Sequence, residues 1–232
     1  MFDGLQDPLV VVRAAGLLDE QITAMGLTLS VSSDFEKFAR LRKECRNDLV
    51  SPMFDPIINS FNQLNSFWML AVDSEGKPVA FQAFRLDTVD GNLGEWTTRW
   101  MTGLYLLRSE LVVPSHLVAP LSSITHEISG PVVYQGELWV SRFFRNRTCS
   151  AIFPRLGMIL CLLKWQPTAI WGIMGRAMAT RGHTIRIGYP HTERGFLRWE
   201  LPPKGAENDE YITLARKTDL EFLAQEAVVT QP

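Results

Sequence analysis

The chain has 232 residues, of which 46% are hydrophobic and 10% aromatic, and its formal net charge is −2. This length predicts one domain over residues 1–232 with a sizeable core, and the ends at 1–8 and 226–232 are expected to be frayed. The three cysteines are scattered, which excludes a disulfide framework or a thiolate metal cluster and predicts a reducing cytoplasm.

Neither an export signal nor a membrane span is expected. The apolar run near the N-terminus is preceded by acids and broken by Arg13, unlike a secretory signal. The longest apolar helix candidate, at 156–163, is stopped by Lys164 and Pro167, far short of the roughly 20 residues that cross a bilayer. We therefore expect a soluble cytoplasmic protein.

The positive charge is concentrated in one segment. Residues 138–192 contain eight Lys and Arg residues and no Asp or Glu, which gives this segment a formal charge of +8. Because the whole chain has a net charge of −2, the rest of it carries a formal charge of about −10. A segregated charge creates a local positive field, which predicts an anionic ligand or partner. The bases of this segment are Arg142, Arg145, Arg147, Arg155, Lys164, Arg176, Arg181 and Arg186.

The first half of the chain predicts a helix and a hairpin. A capping box at 33–36 and the apolar stripe behind it predict a helix over about 34–48. Two apolar runs within 66–86, separated by a polar turn at 73–77, predict a β-hairpin. Segment 88–130 stays open between a strand followed by a helix and an extended antiparallel strand.

The second half predicts a parallel crossover. A strand at 132–143 is followed by a helix that begins near Ser150 or Ala151, because Pro154 is tolerated only in a first helical turn. An apolar strand at 168–174 follows, and a strand, helix and strand with short connections form a parallel pair. A short helix at 176–180 and an antiparallel pair of strands at 195–201 and 210–217 complete the pattern.

The corner between the first of these strands and its helix is a candidate anion site. Backbone N–H groups and the helix dipole point outward at such a corner, where Arg145 and Arg147 lie. The alternative reading of these two arginines is a solvated surface. The four histidines show no ligand spacing, so no metal is expected.

The order of elements is similar to that of the GCN5-related N-acetyltransferases, the GNAT superfamily, over most of residues 33–217, which is where the resemblance implies the core of the domain, at about 33–217. The resemblance implies an α+β, three-layer fold with a mixed, mostly antiparallel sheet, a parallel pair between its fourth and fifth strands, and flanking helices. In that superfamily a basic, glycine-containing turn holds the pyrophosphate of acyl-CoA. The aligned stretch here is Arg145-Asn146-Arg147-Thr148-Cys149-Ser150, in which Thr148 and Ser150 stand in place of glycines.

A second resemblance is to the acyl-homoserine lactone synthases, which share the fold and lack the glycine-rich turn. Ser141-Arg142-Phe143-Phe144 resembles their Glu-x-x-Arg-Phe segment, although Glu137 lies two positions before the expected glutamate. Arg85 resembles an arginine that these enzymes carry on the hairpin. Strand alternation places Arg142 on the face of Val140, so we expect it to be partly buried and paired.

Acyl transfer from a thioester to an amine needs a base that deprotonates the amine and a donor that stabilises the thioester oxygen. The departing thiolate must also be tolerated or protonated. Glu137 is the candidate base, and its alternative reading is an exposed acid that neutralises Arg142. The resemblance places the oxyanion donor at a backbone N–H near Val140 or Ser141. Cys149 has no supporting signature as a nucleophile. The tyrosine that many acetyltransferases carry after the fifth strand is missing, and Tyr189 comes later.

These observations predict an N-acyltransferase that takes its acyl group from acyl-CoA or from acyl-carrier phosphopantetheine and passes it to a small-molecule amine. An acidic acyl-carrier protein would suit the basic segment. The alternative is a catalytically inactive module of the same fold. Nucleic acid is not expected, because the bases fall on elements of differing orientation. The oligomeric state stays open, a homodimer included.

Overall fold

The structure is a computed structural model that describes residues 4–109, 113–115, 123–145 and 148–229. Within these ranges, short 3-10 turns occupy Pro52–Phe54 and Ser123–Thr125. The helices are α1 Pro8–Ala24, α2 Phe35–Arg46, α3 Leu93–Leu107, α4 Cys149–Trp165, α5 Arg176–Ala179, α6 His183–Ile187 and α7 Lys217–Val229. The strands are β1 Thr28–Ser32, β2 Ser66–Val72, β3 Pro78–Val89, β4 Val113–Ser115, β5 Gly130–Val140, β6 Ala169–Met174, β7 His191–Leu201 and β8 Asp209–Arg216.

In the described ranges the strands form one eight-stranded sheet in the order β1-β2-β3-β5-β6-β8-β7-β4. Among these described strands, only β5 and β6 pair in parallel, and every other neighbouring pair is antiparallel. This confirms the predicted mixed, mostly antiparallel sheet. The parallel pair expected between the fourth and fifth strands is formed here by β5 and β6, because the additional short strand β4 shifts the numbering by one.

Local sequence signals explain the elements that were predicted. Helix α2 begins where the Asp34 carboxylate accepts the Lys37 N–H at 2.9 Å, and it ends at Asn47, whose φ of 52° closes the last turn. The β2–β3 turn is held by Asp73, whose carboxylate accepts the N–H of Lys77 at 2.9 Å. The crossover from β5 through α4 to β6 is also confirmed, with α4 beginning one residue before the predicted start.

The sheet separates two apolar clusters, as the predicted three-layer arrangement requires. One cluster packs α1, α4 and α7 against the sheet, and we call this side the α4 face. The other packs α2 and α3 against the opposite side, which we call the α2 face. Alternation along β3 shows the division, because Ala80 and Phe84 belong to the first cluster while Phe81 and Ala83 belong to the second.

The structure differs from the sequence expectations at the chain ends and at 88–130. Helix α1 was not predicted, and helix α7 continues to Val229, so the chain does not fray from 226 and the packed core extends beyond 33–217 at both ends. Of the two readings of 88–130, the helical one holds for Leu93–Leu107, while 110–112 and 116–122 lie outside the described residues. No helix in the described part of the chain is long and apolar enough to cross a membrane.

Candidate active site

The parallel strands β5 and β6 form a fork. They pair over three residues each, from Val132–Ala169 to Tyr134–Trp171, and then diverge. At the base of the fork a Cβ on Gly172 would lie 3.0 Å from the Gln135 carbonyl oxygen, so glycine allows the two backbones to approach closely without a shift of either strand. The divergence therefore begins from a tightly packed point.

A β-bulge bends β5 just beyond the base of the fork. The register against β3 passes from Gly136–Ala83 to Trp139–Phe81, so Glu137 and Leu138 oppose the single residue Gln82. Glu137 adopts the left-handed conformation, with φ of 56°. Bulges bend a strand and re-aim its groups, and this one lies where β5 leaves β6.

The fork opens into a cavity of about 820 Å³. Residues 135–138 of β5 and 172–174 of β6 form two of its walls. Tyr189 and Thr213 reach it from the α4 face, while Tyr134 and Glu210 reach it from the α2 face. Two ligands could therefore meet at the fork from opposite sides of the sheet.

Glu137 lines this cavity, but its carboxylate is already engaged. One oxygen accepts from Arg42 Nε at 2.7 Å, the other accepts from the Ser51 N–H at 2.7 Å, and Arg46 lies 3.6 Å away. The Glu137 side chain is only 4% exposed. The reading of Glu137 as an exposed acid that neutralises Arg142 is therefore wrong, since its partner is Arg42. Its role as the base stays a prediction.

The cavity has a basic corner beside Glu137. The Arg42 side chain is 7% exposed, and its Nη1 has no hydrogen-bond partner among the described residues. Asp48 lies 3.7 Å from that nitrogen, beyond hydrogen-bond distance. Burial, and then the neighbouring Arg42, lower the pKa of Arg46. The guanidinium groups of Arg42 and Arg46 both lie next to the Glu137 carboxylate on the α2 face, at 2.7 and 3.6 Å.

The basic turn after β5 lies beyond this cavity, and none of its described residues lines the cavity. Arg142 is exposed, which contradicts the expected partial burial, because β5 ends at Val140 and strand alternation stops there. Arg145 is exposed too, and its Nε donates to the Val140 carbonyl at 2.9 Å. The Ser141 N–H donates to the Val79 carbonyl at 2.7 Å, so it is not free to act as an oxyanion donor.

The start of α4 shows the other predicted phosphate-binding residues. Asn146 and Arg147 lie outside the described residues. Thr148 has a right-handed conformation, with φ of −53°, so its backbone does not need the glycine that the superfamily carries there. Cys149 is fully buried, and burial raises the pKa of its thiol to about 11, which opposes a nucleophilic role. Ser150 lies in the first turn of α4.

The structure adds two cavity residues that the sequence reasoning missed. Tyr189 is buried, and its hydroxyl donates to Gln135 Oε1 at the base of the fork. Gln135 donates in turn to Gln82, at 2.7 Å, so the tyrosine heads a buried hydrogen-bonded chain. Glu210 is buried on β8 and accepts from Trp199 Nε1 at 2.8 Å. Burial raises the pKa of the Glu210 carboxyl to about 7.

A signal for Glu210 was present in the sequence. Along β8, Glu210 is in phase with Ile212 and Leu214, both of which are fully buried. A carboxylate in the apolar phase of a strand is unusual, because burying an acid without a cation is unfavourable. Tyr189 carried no comparable signal, since its position at the fork depends on how α6 packs.

No protein-family model and no curated protein matches the chain. Solved structures do match. Arabidopsis thaliana NAA60 in complex with acetyl-CoA is 13% identical with a TM-score of 0.44, and the match covers 82% of this chain and 98% of that one. BjaI, a CoA-dependent acyl-homoserine lactone synthase, is 14% identical with a TM-score of 0.43, covering 89% and 92%.

A spermidine N-acetyltransferase chimera of SpeG from Vibrio cholerae and hSSAT is 8% identical with a TM-score of 0.46, covering 84% of this chain and 98% of that one.

Proposed function

We propose that the protein is an N-acyltransferase that moves an acyl group from a thioester to the amine of a small molecule. The fork between β5 and β6 carries this proposal. Beyond Tyr134 and Trp171, the facing edges of the two strands have no partner in the described sheet. An exposed strand edge can pair with an extended chain that contains amides, and a phosphopantetheine arm is such a chain.

The donor would enter from the α4 face. The N-terminus of the 17-residue helix α4 lies just after β5, beside Arg145 in a segment without acids. A helix N-terminus next to a cation favours phosphate, whether the phosphate belongs to CoA or to an acyl-carrier arm. An acidic carrier protein would complement the same segment, so both donors remain part of the proposal.

The thioester would lie at the bulge. Because the Ser141 N–H is occupied, the backbone N–H groups of Glu137 and Leu138 are the better candidates for binding the developing oxyanion. Tyr189 is the candidate proton donor for the departing thiolate. The Tyr189 hydroxyl lies at the base of the fork, since a Cβ on Gly172 would be 3.6 Å from it. Burial raises the pKa of this hydroxyl, so it stays protonated and can donate.

The acceptor would enter from the α2 face, where Tyr105, Tyr134 and the Arg42–Glu137 pair line the cavity. The amine would then meet the thioester at the fork. Homoserine lactone and aliphatic amines are the first acceptors to compare, since the motifs resemble both the synthases and the acetyltransferases.

Calorimetry with CoA, acetyl-CoA and octanoyl-CoA tests the donor site. We expect binding that weakens about 10- to 150-fold in Arg145→Ala, because a charge-assisted hydrogen bond contributes about 1.5–3 kcal/mol. Arg13→Ala, an exposed arginine on α1, is the matched control and should bind like the parent. Absence of binding for all three ligands would remove the CoA version and leave a carrier-linked donor or a module without catalysis.

A further inference from the structure

Three carboxylates line the cavity, of which Asp48 is exposed, and the two buried ones, Glu137 and Glu210, lie in opposite environments. Glu137 has a cation and a backbone donor on its oxygens, as described above. Glu210 accepts one hydrogen bond, from Trp199 Nε1, and no cation pairs with it among the described residues. The negative charge of Glu207 repels the ionised form of Glu210 and adds to the rise in its pKa. A ligand can therefore reach a carboxyl that is not already neutralised.

The surroundings of Glu210 are aromatic. Tyr105 packs edge-on against Trp199 with ring centroids 5.9 Å apart, and Tyr105 and Tyr134 line the same cavity as Glu210. Tyr134 in turn packs against Trp171 at 4.7 Å. A buried carboxylate among aromatic faces attracts an alkylammonium group, because the carboxylate supplies a charge and the rings supply cation–π contacts.

We propose that Glu210 is the proton acceptor for the acceptor's amine, and that the acceptor is an alkylamine that is protonated in water. This inference rests on the proposed acyltransferase function. The ammonium gives one proton to the Glu210 carboxylate and becomes a neutral amine. The amine nitrogen then forms a bond to the thioester carbon, the carbon–sulfur bond breaks, Tyr189 gives its proton to the thiolate sulfur, and the second proton that leaves nitrogen restores the Tyr189 hydroxyl.

The burial of Glu210 supports its role as proton acceptor, because burial brings the charged and the neutral forms of the carboxyl close to equal population at neutral pH. Because the pKa of the carboxyl is raised to about 7, Glu210 can both accept and release a proton at neutral pH. Glu137 is less suited, since its proton would have to displace the hydrogen bonds from Arg42 and Ser51. The base predicted from the sequence is thus replaced in this proposal by a residue 73 positions later.

The test compares Glu210→Gln with Glu200→Gln, an exposed glutamate on β7 next to Trp199. Release of the CoA thiol from acetyl-CoA is followed from pH 5.5 to 9.5 with butylamine, spermidine and homoserine lactone as acceptors. Glu210→Gln should lower kcat about 100-fold or more at pH 7. Its rate should recover as the pH rises, because the solvent then deprotonates the amine. Acetyl-CoA binding should not change, and Glu200→Gln should match the parent.

The outcomes separate this inference from the proposed function. If the parent transfers acetyl groups and Glu210→Gln keeps the same rate and pH profile, Glu210 is not the proton acceptor while the acyltransferase stands. If the parent binds acetyl-CoA but acylates none of the three amines, the assigned acceptor class is wrong. If the parent binds no acetyl-CoA, the CoA-dependent function and this inference fail together.

A second variant guards against misfolding. Glu210→Asp keeps a carboxyl at this position, so it should retain the acidic limb of the pH profile with a lower kcat. Tryptophan fluorescence gives a readout without turnover, since Trp199 donates directly to Glu210. The parent should show a fluorescence transition near pH 7 that Glu210→Gln lacks. A transition of equal size in both proteins would contradict the assignment.

Discussion

At the scale of single residues, burial decides which side chains can react. Cys149 and Cys161 are fully buried, and burial raises the pKa of both thiols, to about 11 for Cys149. Cys45 on α2 is partly exposed, although burial and Glu44 also raise its pKa. Since the thiolate is the reactive form, exposure and pKa together favour Cys45.

We therefore expect a disulfide reagent such as Ellman's reagent to modify one thiol of the folded protein at pH 8. Cys45→Ser should abolish this rapid phase, and all three thiols of the parent should react in denaturant. Rapid modification that persists in Cys45→Ser would show that Cys149 is accessible, and the nucleophile reading of that residue would then reopen.

Some features of individual site residues could be predicted from the sequence, and others could not. Glu210 was detectable, because it interrupts the apolar alternation of β8. The partner of Glu137 was not, because Arg42 lies 95 residues away and only the packing of α2 on the sheet brings the two together. The burial of Arg142 was predicted wrongly, since the rule of alternation applies only as far as the strand continues.

At the scale of elements, the fork depends on the close approach of β5 and β6 at Gly172. A Cβ there would meet the Gln135 carbonyl at 3.0 Å and Thr213 Oγ1 at 3.4 Å. The carbonyl belongs to the backbone of the neighbouring strand, so it cannot move aside as a flexible side chain would. Overpacking of this kind usually destabilises a core by about 1–3 kcal/mol.

We expect Gly172→Ala to lower the free energy of unfolding by about 1–3 kcal/mol in urea titrations. Gly16→Ala on α1 is the matched control, because nothing lies within 4 Å of the added methyl and the backbone is helical. That control should raise stability by about 0.5–1 kcal/mol. Equal effects of the two substitutions would mean that the strands do not approach closely at the fork.

Elements with strong local signals were the ones that the sequence predicted. The capping residue of α2, the turn of the hairpin and the apolar strand β6 each carry their signal within a few positions. Helix α1 also has signals, since Asp7 caps it and Pro8 opens it, but its run of valines favours strands over helices. It folds as a helix because Val11, Ala14, Leu18 and Ile22 all bury one stripe against the α4 face.

At the scale of the whole molecule, the fork joins two sides with different chemistry. The α4 face carries the helix N-terminus and the basic turn, and the α2 face carries aromatic rings, the Arg42–Glu137 pair and the Glu210 carboxyl. The sequence predicted the first side from its acid-free segment. It did not predict the second, because those side chains come from α2, α3, β5 and β8 and are distant from one another along the chain.

The buried Glu210 carboxyl on the α2 face makes the stability of the whole protein depend on pH. The pKa of Glu210 is raised in the fold to about 7 from an ordinary value of 4.5. The folded state therefore binds more protons than the unfolded state between these values, and stability falls as the pH rises from about 4.5 to 7. A difference of this size corresponds to roughly 3 kcal/mol as an upper figure.

Glu210→Gln should remove this dependence, because glutamine resembles the protonated carboxyl at every pH. Measured in urea at pH 5 and at pH 8, the variant should gain stability relative to the parent by up to about 3 kcal/mol as the pH rises. Glu200→Gln shows the contribution of an exposed glutamate on the adjacent strand, and its gain should be close to zero. A relative stability of Glu210→Gln that is the same at both pH values would mean that Glu210 is hydrated or paired in the folded protein. The cavity would then lack the uncompensated buried carboxyl that makes it suited to receive an ammonium group.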